Sequence, residues 1–281
     1  MKYVVEKETL LNDLAEGDIK IIDCSYSLHD KQLGRKQYEQ EHLPNALYFD
    51  LERDLSAPVS NHGGRHPLPS ISDFENTLGK RGILPTDTIV LYDQGEGAFA
   101  ARCWWQLRYL GHEKVYVLNG GMKAWRGAGF PLENSIPISQ PVKYISKPQR
   151  DWLADVQFVE EVVSGKQSGV LLDSRSEVRY TGKEEPIDPI PGHIPGAVNF
   201  PWEAVFSNGH YKSEGELREL FGTLPKDKPV VVYCGSGVTA TPNVIALKIA
   251  GFHNIVLYAG SYSDWVSYEG HSVVNVVNQS K

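Results

Sequence analysis

Short apolar runs alternate with longer segments along the whole chain. Ile19–Asp23, 88–93, Val115–Leu118, Val170–Asp173, 229–234 and Ile255–Tyr258 are dominated by Val, Ile, Leu and Tyr, and predict strands. Residues 230–233, Val-Val-Val-Tyr, show no polar alternation, which predicts a strand buried on both faces. Between the runs, 99–109, 217–221 and 239–250 have helical composition. Alternation of this kind predicts an α/β fold, each sheet mainly parallel with helices on both faces.

The pattern also repeats. Ile19–Asp23 is matched by Val170–Asp173, and His42-Leu43-Pro44-Asn45-Ala46 by His193-Ile194-Pro195-Gly196-Ala197. The run ending at Asp93 parallels the run ending at Cys234. Leu110-Gly111-His112, Asn119-Gly120-Gly121 and Trp125 recur as Ala250-Gly251-Phe252, Ala259-Gly260-Ser261 and Trp265. Because the order is the same in both halves, the chain reads as a duplicated domain: 1–133, a connector over 134–150, and 151–281. Residues 131–148 hold four prolines and little helical periodicity, so the connector is expected to be extended and ordered.

Composition narrows the function classes. With 281 residues, 41% hydrophobic and 22% charged, the chain is long enough for two globular domains. A net charge of −7 without a basic run argues against nucleic acid as a partner, although a local cluster of donors can still draw a small anion. The three cysteines, Cys24, Cys103 and Cys234, form neither a C-x-x-C pair nor a zinc spacing, and no metal or organic cofactor is implied. Their odd, low number fits free thiols in a reducing compartment. Residues 1–10 lack the apolar stretch of a signal peptide, and no window suits a bilayer span. A cytoplasmic location without a membrane partner is expected.

The chemistry concentrates at Cys234. It lies where the buried run turns toward a helix, followed by Gly235-Ser236-Gly237-Val238-Thr239. Glycines let the backbone curl so that successive N–H groups face the sulfur, and a helix N-terminus adds partial positive charge. Both favour a thiolate, the nucleophilic form. The alternative is a small buried hydrophobe at a strand end, which would not need Gly-Ser-Gly after it. Cys103, beside Trp104 and Trp105, reads as core, and Cys24 as structural. The first copy carries Asp93 where the second has Cys234, so it keeps the fold without the nucleophile and is expected to close and buttress the site.

On these residues the sequence resembles the tandem-domain rhodanese family of sulfurtransferases. The marks are Tyr38-x-x-x-His42-Leu43-Pro44-Asn45-Ala46 and Asn119-Gly120-Gly121-x-x-x-Trp125 in the first half. In the second they are Gly192-His193-Ile194-Pro195-Gly196-Ala197, the 234–239 loop, and Tyr258-Ala259-Gly260-Ser261 with Asp264-Trp265. The resemblance implies that a small anionic sulfur donor passes its sulfane sulfur to Cys234. A ring of backbone N–H groups would hold the anionic persulfide, and a thiol, cyanide or a thioredoxin-like protein would remove the sulfur. The Cys-Gly-Ser-Gly-Val-Thr loop is closest to 3-mercaptopyruvate sulfurtransferases. Thiosulfate enzymes carry basic residues where Gly235 and Ser236 stand.

The same resemblance implies further site residues. Ser236, His66 and Glu52 match a proton-transfer group, with Glu52 as a solvated carboxylate the alternative. Arg179 matches a donor-binding arginine whose fork suits a carboxylate or sulfonate, the alternative being an ion pair with a carboxylate such as Glu177. The second arginine of mercaptopyruvate enzymes is absent; Pro186-Ile187-Asp188-Pro189 occupies that stretch. Arg175 reads as structural, and His193 as fixing a turn. A phosphatase of the dual-specificity type would need an arginine closing the loop, which ends Val238-Thr239-Ala240-Thr241 instead. A non-catalytic sulfur carrier would share the loop and differ in rate. A monomer is expected, since closure of the two domains would complete the site within one chain.

Overall fold

A computed structural model describes residues 2–17 and 19–276, and in it the chain packs as two units. The first comprises Met1–Ala57, Pro69–Gln149 and Ser207–Tyr211; the second comprises Pro58–Leu68, Arg150–Phe206 and Lys212–Lys281. Two segments thus fall outside the simple division into halves. The first is 58–68, a stretch without helix or strand. Its backbone polar groups find partners in the second unit: Gly63 N–H donates to Asp264 Oδ1 at 2.7 Å and Arg65 N–H to Ser263 Oγ at 3.1 Å. The second is 207–211, where Tyr211 N–H donates to Asn119 Oδ1 at 2.9 Å. The connector is extended and belongs to the first unit. Val142 N–H bonds to Gly79 O, Lys147 N–H to Leu110 O and Gln149 N–H to Tyr109 O, so it lies along that unit rather than free of it.

The first unit runs β1 (Val4–Val5), α1 (Lys7–Glu16), β2 (Ile19–Asp23), α2 (Leu33–Gln40), β3 (Leu47–Tyr48), α3 (Ile71–Lys80), β4 (Thr88–Tyr92), α4 (Ala98–Tyr109), β5 (Val115–Leu118) and α5 (Gly121–Gly127). Its sheet is parallel throughout in the order β1-β5-β4-β2-β3. Alternate strand residues Ile21, Val90, Tyr92 and Leu118 share a core with Leu10, Tyr38, Met122 and Trp125 from α1, α2 and α5. The intervening Ile22, Ile89, Leu91 and Val117 are buried on the other face, where α4 packs. Both faces are covered, which is why these strands read as continuous apolar runs.

The second unit repeats this plan with β6 (Leu153–Ala154), α6 (Val156–Val163), β7 (Val170–Asp173), α7 (Glu177–Thr181) and β8 (Val198–Asn199); after a hairpin of β9 (Phe206–Ser207) and β10 (His210–Tyr211), of which 207–211 belong to the first unit, it continues with α8 (Glu214–Leu220), β11 (Val230–Tyr233), α9 (Thr241–Ile249), β12 (Ile255–Tyr258) and α10 (Ser261–Trp265). The parallel order β6-β12-β11-β7-β8 is the order of the first sheet. A capping box of Ser213 and Glu216 starts α8 at 214, ahead of the predicted 217. Conversely, α9 begins two residues later than predicted. Residues 239 and 240 form a turn, and Pro242 sits in the first helical turn, where its missing N–H costs nothing. Among the described residues no helix is long and apolar enough to cross a membrane.

Candidate active site

The central strand β11 delivers Cys234 to its carboxyl end, the usual place for ligands in open α/β sheets. Cys234 is buried, and its Sγ accepts the Gly237 N–H at 3.1 Å. The loop is pinned from one side by the start of α10. Tyr262 N–H donates to Cys234 O at 2.9 Å, Ser263 N–H to Gly235 O at 3.0 Å, and Cys234 N–H to Ser261 Oγ at 3.1 Å. Ser261 Oγ also lies 4.0 Å from the sulfur. Gly237 has φ of 76°, and a β-carbon there would run into the Ala259 carbonyl, so the loop can curl this tightly only with glycine. Val238 is buried, and its carbonyl accepts the Thr241 hydroxyl at 2.7 Å, joining the loop to α9. Thr239 lies in the turn before it.

Segment 58–68 adds an imidazole. His66 Nδ1 lies 2.8 Å from Ser236 Oγ, so two of the three residues expected to move protons meet in the second unit. The third, Glu52, belongs to the first unit, where Lys31 Nζ pairs with it at 2.6 Å. There, burial and then the charge of Glu52 push the Tyr26 phenol up.

A cluster of three arginines and three carboxylates surrounds the other side of the loop. Arg179 donates to Glu185 from Nε and Nη2 at 2.8–3.1 Å, and to Asp188 Oδ2 at 2.9 Å. Its partners are therefore Glu185 and Asp188 rather than Glu177. Arg65 Nη1 takes the other oxygen of Asp188. Behind them Arg175 is fully buried, chelated by Asp173 and bonded to Glu185 and the Gly192 carbonyl, which makes it structural as expected. Burial pushes the Asp188 carboxyl up against the opposing pull of Arg65. At Glu185 burial also acts upward, but hydrogen bonds from Arg179 and from the Asp188 and Ile187 amides outweigh it and hold the carboxyl low. A β-carbon on Gly235 would lie 2.8 Å from Arg65 Nη2 and 3.4 Å from both Nη atoms of Arg179. The positive charge missing from the loop sequence thus stands over Gly235 from outside it.

Arg65 is the residue that sequence reasoning missed. Its signal was its place beside His66, a neighbour already singled out, but only folding of 58–68 onto α10 brings it to the loop. His193 behaves as a turn residue: its Nδ1 lies 2.7 Å from Tyr180 O, and its ring stacks on Tyr180 at 3.8 Å. His42 repeats this against Tyr38.

The first unit displays the same loop holding an anion. Asp93, at the end of β4, is buried, and its Oδ1 accepts N–H groups of Gly95 and Gly97 at 3.0 and 2.9 Å. Its Oδ2 accepts those of Phe99 and Ala100 at 3.1 and 3.2 Å, in the first turn of α4. Cys24 and Cys103 are buried in this unit, and burial together with the neighbouring Cys103 raises the Cys24 thiol well above its usual range. Among the described residues no group of His, Cys, Asp and Glu is arranged to hold a metal ion.

Comparison with known proteins agrees with this geometry. The rhodanese-like domain family matches the chain twice, over residues 6–128 and 157–268. A Pseudomonas aeruginosa protein named "Probable 3-mercaptopyruvate sulfurtransferase" is 42% identical over 260 residues, covering 90% of this chain and 91% of that one. Chicken (Gallus gallus) thiosulfate sulfurtransferase is 33% identical, covering 88% and 86%. The crystal structure of SseA from Escherichia coli, described as a 3-mercaptopyruvate sulfotransferase with the rhodanese fold, superposes with a TM-score of 0.81 at 28% identity, over 94% of this chain and all of that one. With two matching domains, one carrying a cysteine loop and the other an aspartate in its place, the chain belongs to the tandem-domain rhodanese family of sulfurtransferases.

Proposed function

We propose that the protein moves a sulfane sulfur from 3-mercaptopyruvate, through a persulfide on Cys234, to a thiophilic acceptor. The Cys234 thiolate attacks the donor's sulfur. The carbon–sulfur bond breaks, its electron pair passes to the pyruvate enolate, and protonation gives pyruvate and an anionic Cys234 persulfide. A thiolate, cyanide or the thiol of a thioredoxin-like protein then attacks the outer sulfur and returns the Cys234 thiolate. Arg179 binds the donor carboxylate. The Ser236–His66 pair carries the proton to the enolate carbon, with Glu52 as the third member of the proton-transfer group.

The observation that carries this reading is the Gly237 N–H on Cys234 Sγ, in a loop whose twin binds a carboxylate with four amides. A cradle that stabilises an anion at one strand end suits an anionic persulfide at the other. Thiosulfate is the second reading, favoured by the two guanidiniums over Gly235 and by a relative named for it. A sulfur carrier without turnover is the more distant one. The odd, low cysteine number favours the cytoplasm, and a monomer suffices for the chemistry. The test is pyruvate release from 3-mercaptopyruvate with a thiol acceptor. Double-displacement kinetics, and their loss in Cys234→Ser, support the reading. Residual turnover in that variant overturns it.

A further inference from the structure

Residues 62–66 run alongside α10 and the turn that follows it. His62 Nδ1 lies 2.8 Å from Ser267 Oγ, and its ring stacks on Tyr268 at 4.0 Å. Gly63 N–H donates to Asp264 and Arg65 N–H to Ser263. Between them Gly64, at φ of 78°, passes so close that a β-carbon would overlap the Gly260 carbonyl. At the end of this run His66 meets Ser236.

Asp264 ties the run to the sheet. Its carboxylate is buried with both oxygens taken: Oδ1 accepts the Gly63 N–H at 2.7 Å, and Oδ2 the Tyr258 hydroxyl at 2.7 Å. Tyr258 ends β12, the neighbour of β11. Hydrogen bonds to an ionised acceptor are the strong ones, so this joint is firm. The same helix pins the cysteine loop, through the Tyr262 and Ser263 amides on the Cys234 and Gly235 carbonyls. Both halves of the Ser236–His66 contact are therefore mounted on α10, one by its backbone and one by its side chains.

The first copy builds the same corner without this joint. Leu118 ends β5 as Tyr258 ends β12, and Ala124 stands in α5 where Asp264 stands in α10. Their amides make the same bond, to the carbonyls of Gly120 and Gly260. The fold thus does not require the Tyr258–Asp264 pair, which occurs in the copy that carries the nucleophile.

Resting on the proton-transfer role given to His66 above, we propose that Asp264 is the positioning residue of that histidine. By clamping Gly63 between α10 and Tyr258 it holds the imidazole at Ser236, and so governs proton delivery to the enolate left by 3-mercaptopyruvate. Cyanide attack on the persulfide needs no proton, so that half-reaction escapes its control.

Single-turnover pyruvate release, and discharge of preloaded enzyme by cyanide, test this. Asp264→Ala should slow pyruvate release about tenfold or more while discharge stays within about threefold. Asp264→Asn, whose amide oxygen still accepts from Gly63, should recover to within about threefold of wild type. Because Asp264 acts through His66, the double variant His66→Ala/Asp264→Ala should be no more than about twofold slower than His66→Ala. If Asp264→Ala does not fold, Tyr258→Leu/Asp264→Ala, which copies the corner of the first domain, gives the same readouts. Equal slowing of both half-reactions, or a double variant slowed by the full product of the single effects, overturns the proposal. So does pyruvate release within about twofold of wild type in Asp264→Ala. His66→Ala that releases pyruvate at the wild-type rate overturns the proton-transfer reading itself, whereas a slow His66→Ala beside an unimpaired Asp264→Ala sinks only the role of Asp264.

Discussion

The backbone N–H of Cys234 donates to Oγ of Ser261, a serine held at φ of 58° where the first domain has Gly121 at 55°. A side chain in the left-handed region costs on the order of 1 kcal/mol or more, and here it places a hydroxyl behind the nucleophile. Ser261→Gly removes both the strain and the hydrogen bond, so its stability should stay within about 1 kcal/mol of wild type while persulfide formation slows. Ser261→Ala keeps the strain and loses the bond, and should be less stable by about 1–2 kcal/mol. Denaturant unfolding and single-turnover sulfur uptake check the pair; equal stability and undiminished uptake in both would remove Ser261 from the site.

The two loop glycines should respond in opposite ways. Gly237→Ala puts a β-carbon against the Ala259 backbone at a positive φ, and should destabilise the protein by about 2–4 kcal/mol. Gly235→Ala meets only the far end of Arg65 and the Arg179 guanidinium, which side-chain rotation can relieve, so it should cost less than about 1 kcal/mol. Its effect should fall instead on the KM of the donor. Thermal unfolding of both variants checks the contrast.

The other two cysteines should be inert. Cys103→Ala is expected to cost about 1–3 kcal/mol in packing and keep sulfur transfer, and Cys24→Ser should remain active. Because burial raises the Cys24 thiol, alkylation near neutral pH should modify Cys234 first, as peptide mapping would reveal.

Asp23 predicts a pH effect. Burial, partly offset by its hydrogen bond from Ser25, raises its carboxyl to about 6, and its Oδ2 is buried without a partner. A folded pKa above the unfolded value means that the folded state holds the proton more tightly. The stabilisation is fully present below about pH 4 and is lost as pH rises through about 6. Asp23→Asn, neutral at every pH, should therefore gain on wild type between pH 4 and pH 7 by up to about 3 kcal/mol. Unfolding curves at the two pH values check it; a constant difference between the proteins contradicts it.

Much of this was legible in the sequence because it is periodic or local. The runs at Val170–Asp173 and Val230–Tyr233 are apolar throughout because both sheet faces are covered, and the loop after Cys234 advertises its curl through glycine. The duplication made Asp93 readable as the partner of Cys234. What escaped depends on long-range closure. Arg65 acquires its meaning only when 58–68, a stretch with no periodicity, bonds to Ser263 and Asp264 some 200 residues later. Asp188 looked like the loss of an arginine, and its recruitment of Arg65 is a tertiary event. The start of α9 was misjudged by two residues because Thr239 and Ala240 have helical composition but complete the loop's turn.

The most direct measurement is the intact mass of wild type and of Cys234→Ser after brief exposure to 3-mercaptopyruvate without acceptor. One added sulfur on wild type, lost on adding cyanide or a thiol and absent from Cys234→Ser, is the expected result. Wild type of unchanged mass, or sulfur bound equally by Cys234→Ser, would contradict a Cys234 persulfide as the carrier of the reaction.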